Sequence, residues 1–137
     1  MVRYDHLECA LEYPSHHLEP EDFLHFVELD QFTDDWESLG LDVESDLWKL
    51  QIGIMANPTG GDVISGTGGL RKIRFGLEEG KRKGARVCYV YFPNHFLVLL
   101  VMAFGKSEKP DLDSDDKRGI AEYIRQIKNY LDRTNEK

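Results

Sequence analysis

Gly66-Thr67-Gly68-Gly69-Leu70-Arg71-Lys72-Ile73-Arg74-Phe75 is the stretch on which the fold turns. Its second half alternates, so a strand over Leu70 to Gly76 places Ile73 and Phe75 on one face and Lys72 and Arg74 together on the other. The two cations then stand about 7 Å apart, at twice the strand rise. Arg71 shares the face of Ile73 and Phe75. The glycines ahead of the strand suit a turn with positive φ.

Downstream, Arg86 to Phe92 reads as a second strand, and Pro93-Asn94-His95 turns it into a third over Phe96 to Gly105. Consecutive strands joined by short turns imply antiparallel pairing. Upstream, His25 to Leu29 alternates weakly and is expected to be a first strand. Thr33 is expected to cap a short helix ending at Gly40. A second helix opens at Asp42 with Val43, Leu47, Leu50 and Ile54 as its stripe, and Asn57-Pro58 stops it. Ser114 is expected to cap a final helix with Ile120, Ile124, Ile127 and Leu131 on its apolar face. The class is α+β: a small antiparallel sheet with a mixed edge, of about four strands, flanked by helices. Residues 1–22 carry Pro14 and Pro20 without a sustained period and are read as an acidic extension, with 23–137 as the domain.

The net charge of −8 over 137 residues hides a division. Residues 1–65 hold 2 Lys/Arg against 15 Asp/Glu, whereas residues 66–109 hold 9 against 3. An anion meeting the strands therefore meets a positive local field, despite the acidic total.

Several chemistries fail on spacing. A phosphate-binding P-loop needs a lysine and then a helix, but Gly61 to Gly66 runs into Thr67 and a strand. The dinucleotide fingerprint fails because Arg71 stands where its third glycine belongs. His6, Cys9, His16 and His17 lack the spacing that closes a zinc site. Nothing places His25 or His95 beside a nucleophile. Cys9 and Cys88 are read as reduced, the segment Met1 to Glu12 lacks the apolar core of a signal peptide, and the apolar run Phe96 to Phe104 has nine residues, too few to span a bilayer as a helix. The expectation is a cytoplasmic protein without cofactor, metal or membrane partner.

The basic cluster is the remaining chemistry. Pairing of the strands gathers Lys72, Arg74 and Arg86, with Lys106 and Lys109 after the last strand, into one patch. Guanidinium groups stabilise charge building on a phosphorane, and a crowded lysine can move a proton, so no metal is required. Against this stands the ordinary role of charged residues on a sheet's outer face, which is solvation.

Phe26-Val27-Glu28, Trp48-Lys49-Leu50-Gln51, Ala56-Asn57-Pro58, Gly61-Asp62-Val63-Ile64, Gly66 to Arg74, Lys81 to Tyr89 and Lys106 to Leu112 together resemble the RelE/HigB family of bacterial type II toxins. The resemblance covers roughly residues 25 to 131 and leaves the extension outside it. It implies a ribosome-dependent mRNA endonuclease, metal-independent, in which the ribose 2′-OH attacks its own phosphate, neutralised by a cognate antitoxin. It also implies a homodimer or a toxin–antitoxin hetero-oligomer. By motif it makes Lys72, Arg74, Arg86 and Lys106 catalytic. Arg71, Lys81, Arg82, Lys83 and Lys109 are expected to bind RNA. Where the family commonly carries Tyr-Ala-Lys-Asn, this chain has Phe104-Gly105-Lys106-Ser107, which removes a phenol. The competing expectation is a non-catalytic binding module or degenerate toxin of the same fold, acting on its antitoxin or on a target such as a topoisomerase. The extension is expected to fold over the basic patch in cis.

Overall fold

The computed structural model describes residues 18–76, 85–105 and 112–135. After a single 3-10 turn at Pro20–Asp22, the elements are β1 (His25–Glu28), α1 (Asp30–Ser38), α2 (Ser45–Ala56), β2 (Asp62–Val63), β3 (Arg71–Phe75), β4 (Ala85–Phe92), β5 (Leu97–Gly105) and α3 (Ser114–Asn135). They make one mixed sheet in the order β1-β5-β4-β3-β2, in which β1 runs parallel to β5 and the other pairs are antiparallel. The α+β class is as expected. The strand number is corrected from about four to five, because β2 lies inside the glycine loop and two residues are too short to show a period.

β4 is central, and its apolar run serves both faces. Ala85, Val87 and Tyr89 join Phe32, Trp36, Leu50, Ile54 and Leu100 in one core beneath α1 and α2. Cys88, Val90 and Phe92 join Leu70, Leu99 and Ile124 in a second core beneath α3. β5 keeps both cores supplied through a bulge, since Cys88 pairs with Met102 while Tyr89 pairs with Leu100. Val101 is the extra residue, so Val101 and Met102 both face α3, and Ala103 returns to the first core. β1 pairs with β5 only as far as Leu100; beyond it, the Ala103 N–H donates to Asp35 Oδ2 from α1 at 3.0 Å.

Several helix starts differ from the expected ones. α1 begins at Asp30, three residues before Thr33, whose hydroxyl instead donates to Glu28 Oε1 at 2.7 Å. α2 begins at Ser45, three residues after the expected opening at Asp42, which caps it from outside the helix body. Its carboxylate accepts the Ser45 and Glu44 N–H groups at 2.6 and 2.9 Å, and these bonds hold it below the ordinary aspartate range. Val43 thus falls ahead of the helix and is exposed, while Ile52 and Met55 bury a second side of α2 against Leu18. The packed structure therefore takes in Leu18, ahead of the boundary expected after residue 22. At α3 the cap is Asp113 rather than Ser114, because Asp113 Oδ1 accepts the Asp116 N–H at 2.8 Å and Asp116 Oδ2 accepts the Asp113 N–H in return at 3.2 Å.

The glycine loop is closed by specific bonds. Gly66, Gly68 and Gly69 have φ of 82°, 77° and 124°, which side-chain-bearing residues rarely adopt. Between them Thr67 is fully buried, donating to Ile64 O at 2.6 Å and accepting the Leu70 N–H at 3.1 Å. The loop's other end is tied to the sheet by Tyr89, whose hydroxyl donates to Pro58 O at 2.7 Å and accepts the Gly61 N–H at 3.2 Å. Burial pushes that phenol's pKa up, so it remains a donor at neutral pH. Tyr89→Phe leaves both loop groups without their buried partner and is expected to cost about 1–3 kcal/mol. Urea unfolding should show a lower midpoint with an unchanged slope.

Candidate functional site

The β3–β4 register brings the sequence-selected cations together in rows. Arg74 pairs with Arg86, and Arg86 pairs in turn with Phe104 of β5. Two residues along the same strands, Asp62, Lys72, Cys88 and Met102 form the next row on that face. Ile73, Phe75, Ala85 and Val87 belong to the core under α1 and α2, so Lys72, Arg74, Arg86 and Phe104 share the opposite face. That is the face α3 covers in part. Lys72 and Arg74 are exposed, whereas Arg86 and Phe104 are half-buried.

Two guanidinium side chains directly across an antiparallel pair have Cβ atoms only about 4.5–5.5 Å apart. Such like-charge pairs destabilise a sheet, and neither arginine forms an ion pair with any carboxylate among the described residues. A diffuse anion spanning both would relieve the repulsion, and a phosphate or phosphorane has that charge and size. Phe104 lies about 10 Å from Arg74 across two strand spacings, close enough for a base to lie on its ring while its phosphate meets the arginines.

Cys88 sits beneath this face without joining its chemistry. It is fully buried, and burial pushes its thiol up to about 11, with the Lys72 charge opposing the rise. It remains protonated and is no nucleophile at neutral pH.

Arg71 is placed on the other face, as its alternation predicts, and one of its terminal nitrogens is committed to structure. Nη1 donates to Gly61 O at 2.8 Å and to Thr59 O at 3.1 Å, beside its cross-strand partner Tyr89. Lys81, Arg82, Lys83, Lys106 and Lys109 lie outside the described residues, as do the histidines and cysteine of the N-terminal segment. Among the described residues no cluster of three or more His, Cys, Asp or Glu could hold a metal ion, and no helix is long and apolar enough to cross a membrane.

Asp62 escapes sequence reasoning, and so does the face that Phe104 takes, although the family's missing phenol marks its position. Asp62 reaches the Lys72 row only through β2, which has no period to read. Phe104 is part of an uninterrupted apolar run, and the bulge at Val101 decides which face it takes.

No protein-family profile matches the chain. Among solved structures it is similar to a double arginine-to-alanine mutant of the E. coli toxin RelE in the free state, with a TM-score of 0.48 and 19% identity over 77% of this chain and 98% of that one.

The opposed arginines give a prediction with two readouts. Arg86→Gln removes the like-charge pair while keeping a polar side chain, so it should leave stability unchanged or raise it by up to about 1 kcal/mol. In the same protein, binding of single-stranded RNA should weaken and lose part of its salt dependence. A variant that unfolds more easily would show that Arg86 serves the fold.

Proposed function

We propose that this chain is a toxin of the RelE/HigB kind that cleaves mRNA on the ribosome, without a metal, and is restrained by a cognate antitoxin. The observation that carries this reading is the row Arg74, Arg86 and Phe104 across three strands, its two arginines within segments whose sequence resembles that family.

The row suits phosphodiester transfer. The ribose 2′-OH attacks the adjacent phosphorus, the bond to the 5′-oxygen breaks, and a cyclic phosphate and a 5′-hydroxyl result. Arg74 and Arg86 hold the non-bridging oxygens as charge accumulates, and removing one such donor typically costs about 100- to 1,000-fold in rate. Phe104 supplies a stacking surface where the family's phenol is absent. Lys72 extends the cationic face. Asp62, opposite Lys72, is a carboxylate able to accept the proton of the 2′-OH, and Lys106 supports the leaving side by motif. Lys81, Arg82, Lys83 and Lys109 add electrostatic attraction for the RNA and ribosome, and an acidic antitoxin surface would complement the same face.

Inducing the chain in cells and mapping mRNA 5′ ends tests this directly. New 5′ ends should appear on induction, vanish with Arg74→Ala or Arg86→Ala, persist in ribosome-bound mRNA treated with a metal chelator, and be suppressed by the antitoxin. Growth arrest without new ends would make the chain a binding module of the same fold. The proposal that the acidic N-terminal segment covers the patch in cis is tested by deleting residues 1–17, which spares the buried Leu18. That deletion should raise toxicity and RNA affinity; unchanged values would refute the cover.

A further inference from the structure

The end of the sheet away from the arginine row holds a cleft of about 420 Å3, between the β4–β5 turn, the Gly68-Gly69 backbone and the C-terminal half of α3. Along β4, Arg86 and Phe92 are about 20 Å apart at the strand rise, so the cleft is separate from the proposed cleavage site and stands independently of that reading. Its volume falls within the roughly 300–1,000 Å3 usual for small-molecule sites.

Its lining divides by chemistry. Val90, Phe92 and Ile124 are buried members of the core beneath α3 and offer an apolar floor. Arg71, Asn94 and Lys128 bring hydrogen-bond donors, His95 adds its imidazole ring, and among the described residues no carboxylate lines the cleft. Arg71 spends Nη1 on Thr59 O and Gly61 O; among the described residues its Nε and Nη2 make no hydrogen bond. The His95 ring is held from behind, with Nε2 2.8 Å from Asp132 Oδ1, and the other oxygen of that carboxylate accepts from Lys128 Nζ at 3.2 Å. Asp132 thereby ties the turn to α3 and orients the His95 ring and the Lys128 ammonium. These two bonds, that from His95 first, also hold its carboxyl below the usual range. Gly69, at positive φ with open space where a side chain would stand, lines the cleft with bare backbone, so a ligand can approach closely there, whereas Gly68 is packed against Ala121 of α3.

An apolar floor beside a guanidinium and an ammonium fits a ligand with a flat ring and a dianionic end. We propose that this cleft binds a nucleoside monophosphate, with the base against Val90, Phe92 and Ile124 and the phosphate toward Arg71 and Lys128.

The test is a titration of the full chain carrying Arg74→Ala and Arg86→Ala, which silences the other anion site, with adenosine 5′-monophosphate, adenosine and inorganic phosphate in parallel. The monophosphate should shift the Ile124 methyl and His95 ring signals in nuclear magnetic resonance spectra. It should also bind at least about 10-fold more tightly than either fragment, a difference of about 1.4 kcal/mol. Lys128→Glu, a change on an exposed helix position, should weaken it by at least a further factor of about 10 without altering the circular dichroism spectrum. Absence of saturable shifts, or a folded Lys128→Glu variant that binds equally well, would overturn the proposal. Phosphate binding as tightly as the nucleotide would do so too, because the apolar floor would then contribute nothing.

Discussion

The backbone ladder that pairs Ile73 with Val87 also sets Arg74 across from Arg86, and the rest of the molecule is arranged around that register. A slip of one residue would send Lys72 and Arg74 into the core and expose Ile73 and Phe75. Burial of the apolar set therefore holds the two guanidinium groups together against their repulsion. Phe75 lies tilted against Trp36 with ring centroids 5.5 Å apart, and Trp36 in turn stacks on Phe32 at 5.3 Å, so the aromatic packing of α1 reaches the strand that carries Lys72 and Arg74. Each such buried side chain contributes on the order of 1.5–3 kcal/mol, more than the like-charge pair takes away.

The division of charge along the chain becomes only in part a division across the sheet, since α3 carries Asp115, Asp116 and Glu122 on the side of the cationic rows. Asp30, Asp34 and Glu37 lie exposed on α1, which packs on the face opposite Lys72 and Arg74. Asp62 is a further exception, since β2 carries it to the cationic rows. α3 then splits the second face in two. Its apolar stripe seals the middle of the sheet, leaving the arginine row open at one end and the His95 turn at the other. Two open regions on one small sheet follow from a single helix laid across it.

Much of this was legible locally. The alternation from Leu70 to Gly76 predicts the strand and its faces, the stripes of Leu47, Leu50 and Ile54 and of Ile120 to Leu131 predict two helices, and glycines at 66 and 68 mark a turn with positive φ. The helix starts were misplaced because Asp42 and Asp113 cap through side-chain bonds that Ser and Thr elsewhere can mimic. The first and last strands were recognisable as strands, but their pairing was not.

What the sequence by itself determined is the set of elements and which residues of each strand share a face, since periods of 2 and 3.6 are local properties of the backbone. The register of the hairpins and the pairing of β1 with β5 and of β2 with β3 were left to tertiary structure, because they depend on contacts that no local period encodes. Only the folded sheet puts Arg74 opposite Arg86, inserts Val101 as a bulge so that Phe104 turns to the same side, brings Asp62 to Lys72, and closes the His95 turn against Asp132 of α3.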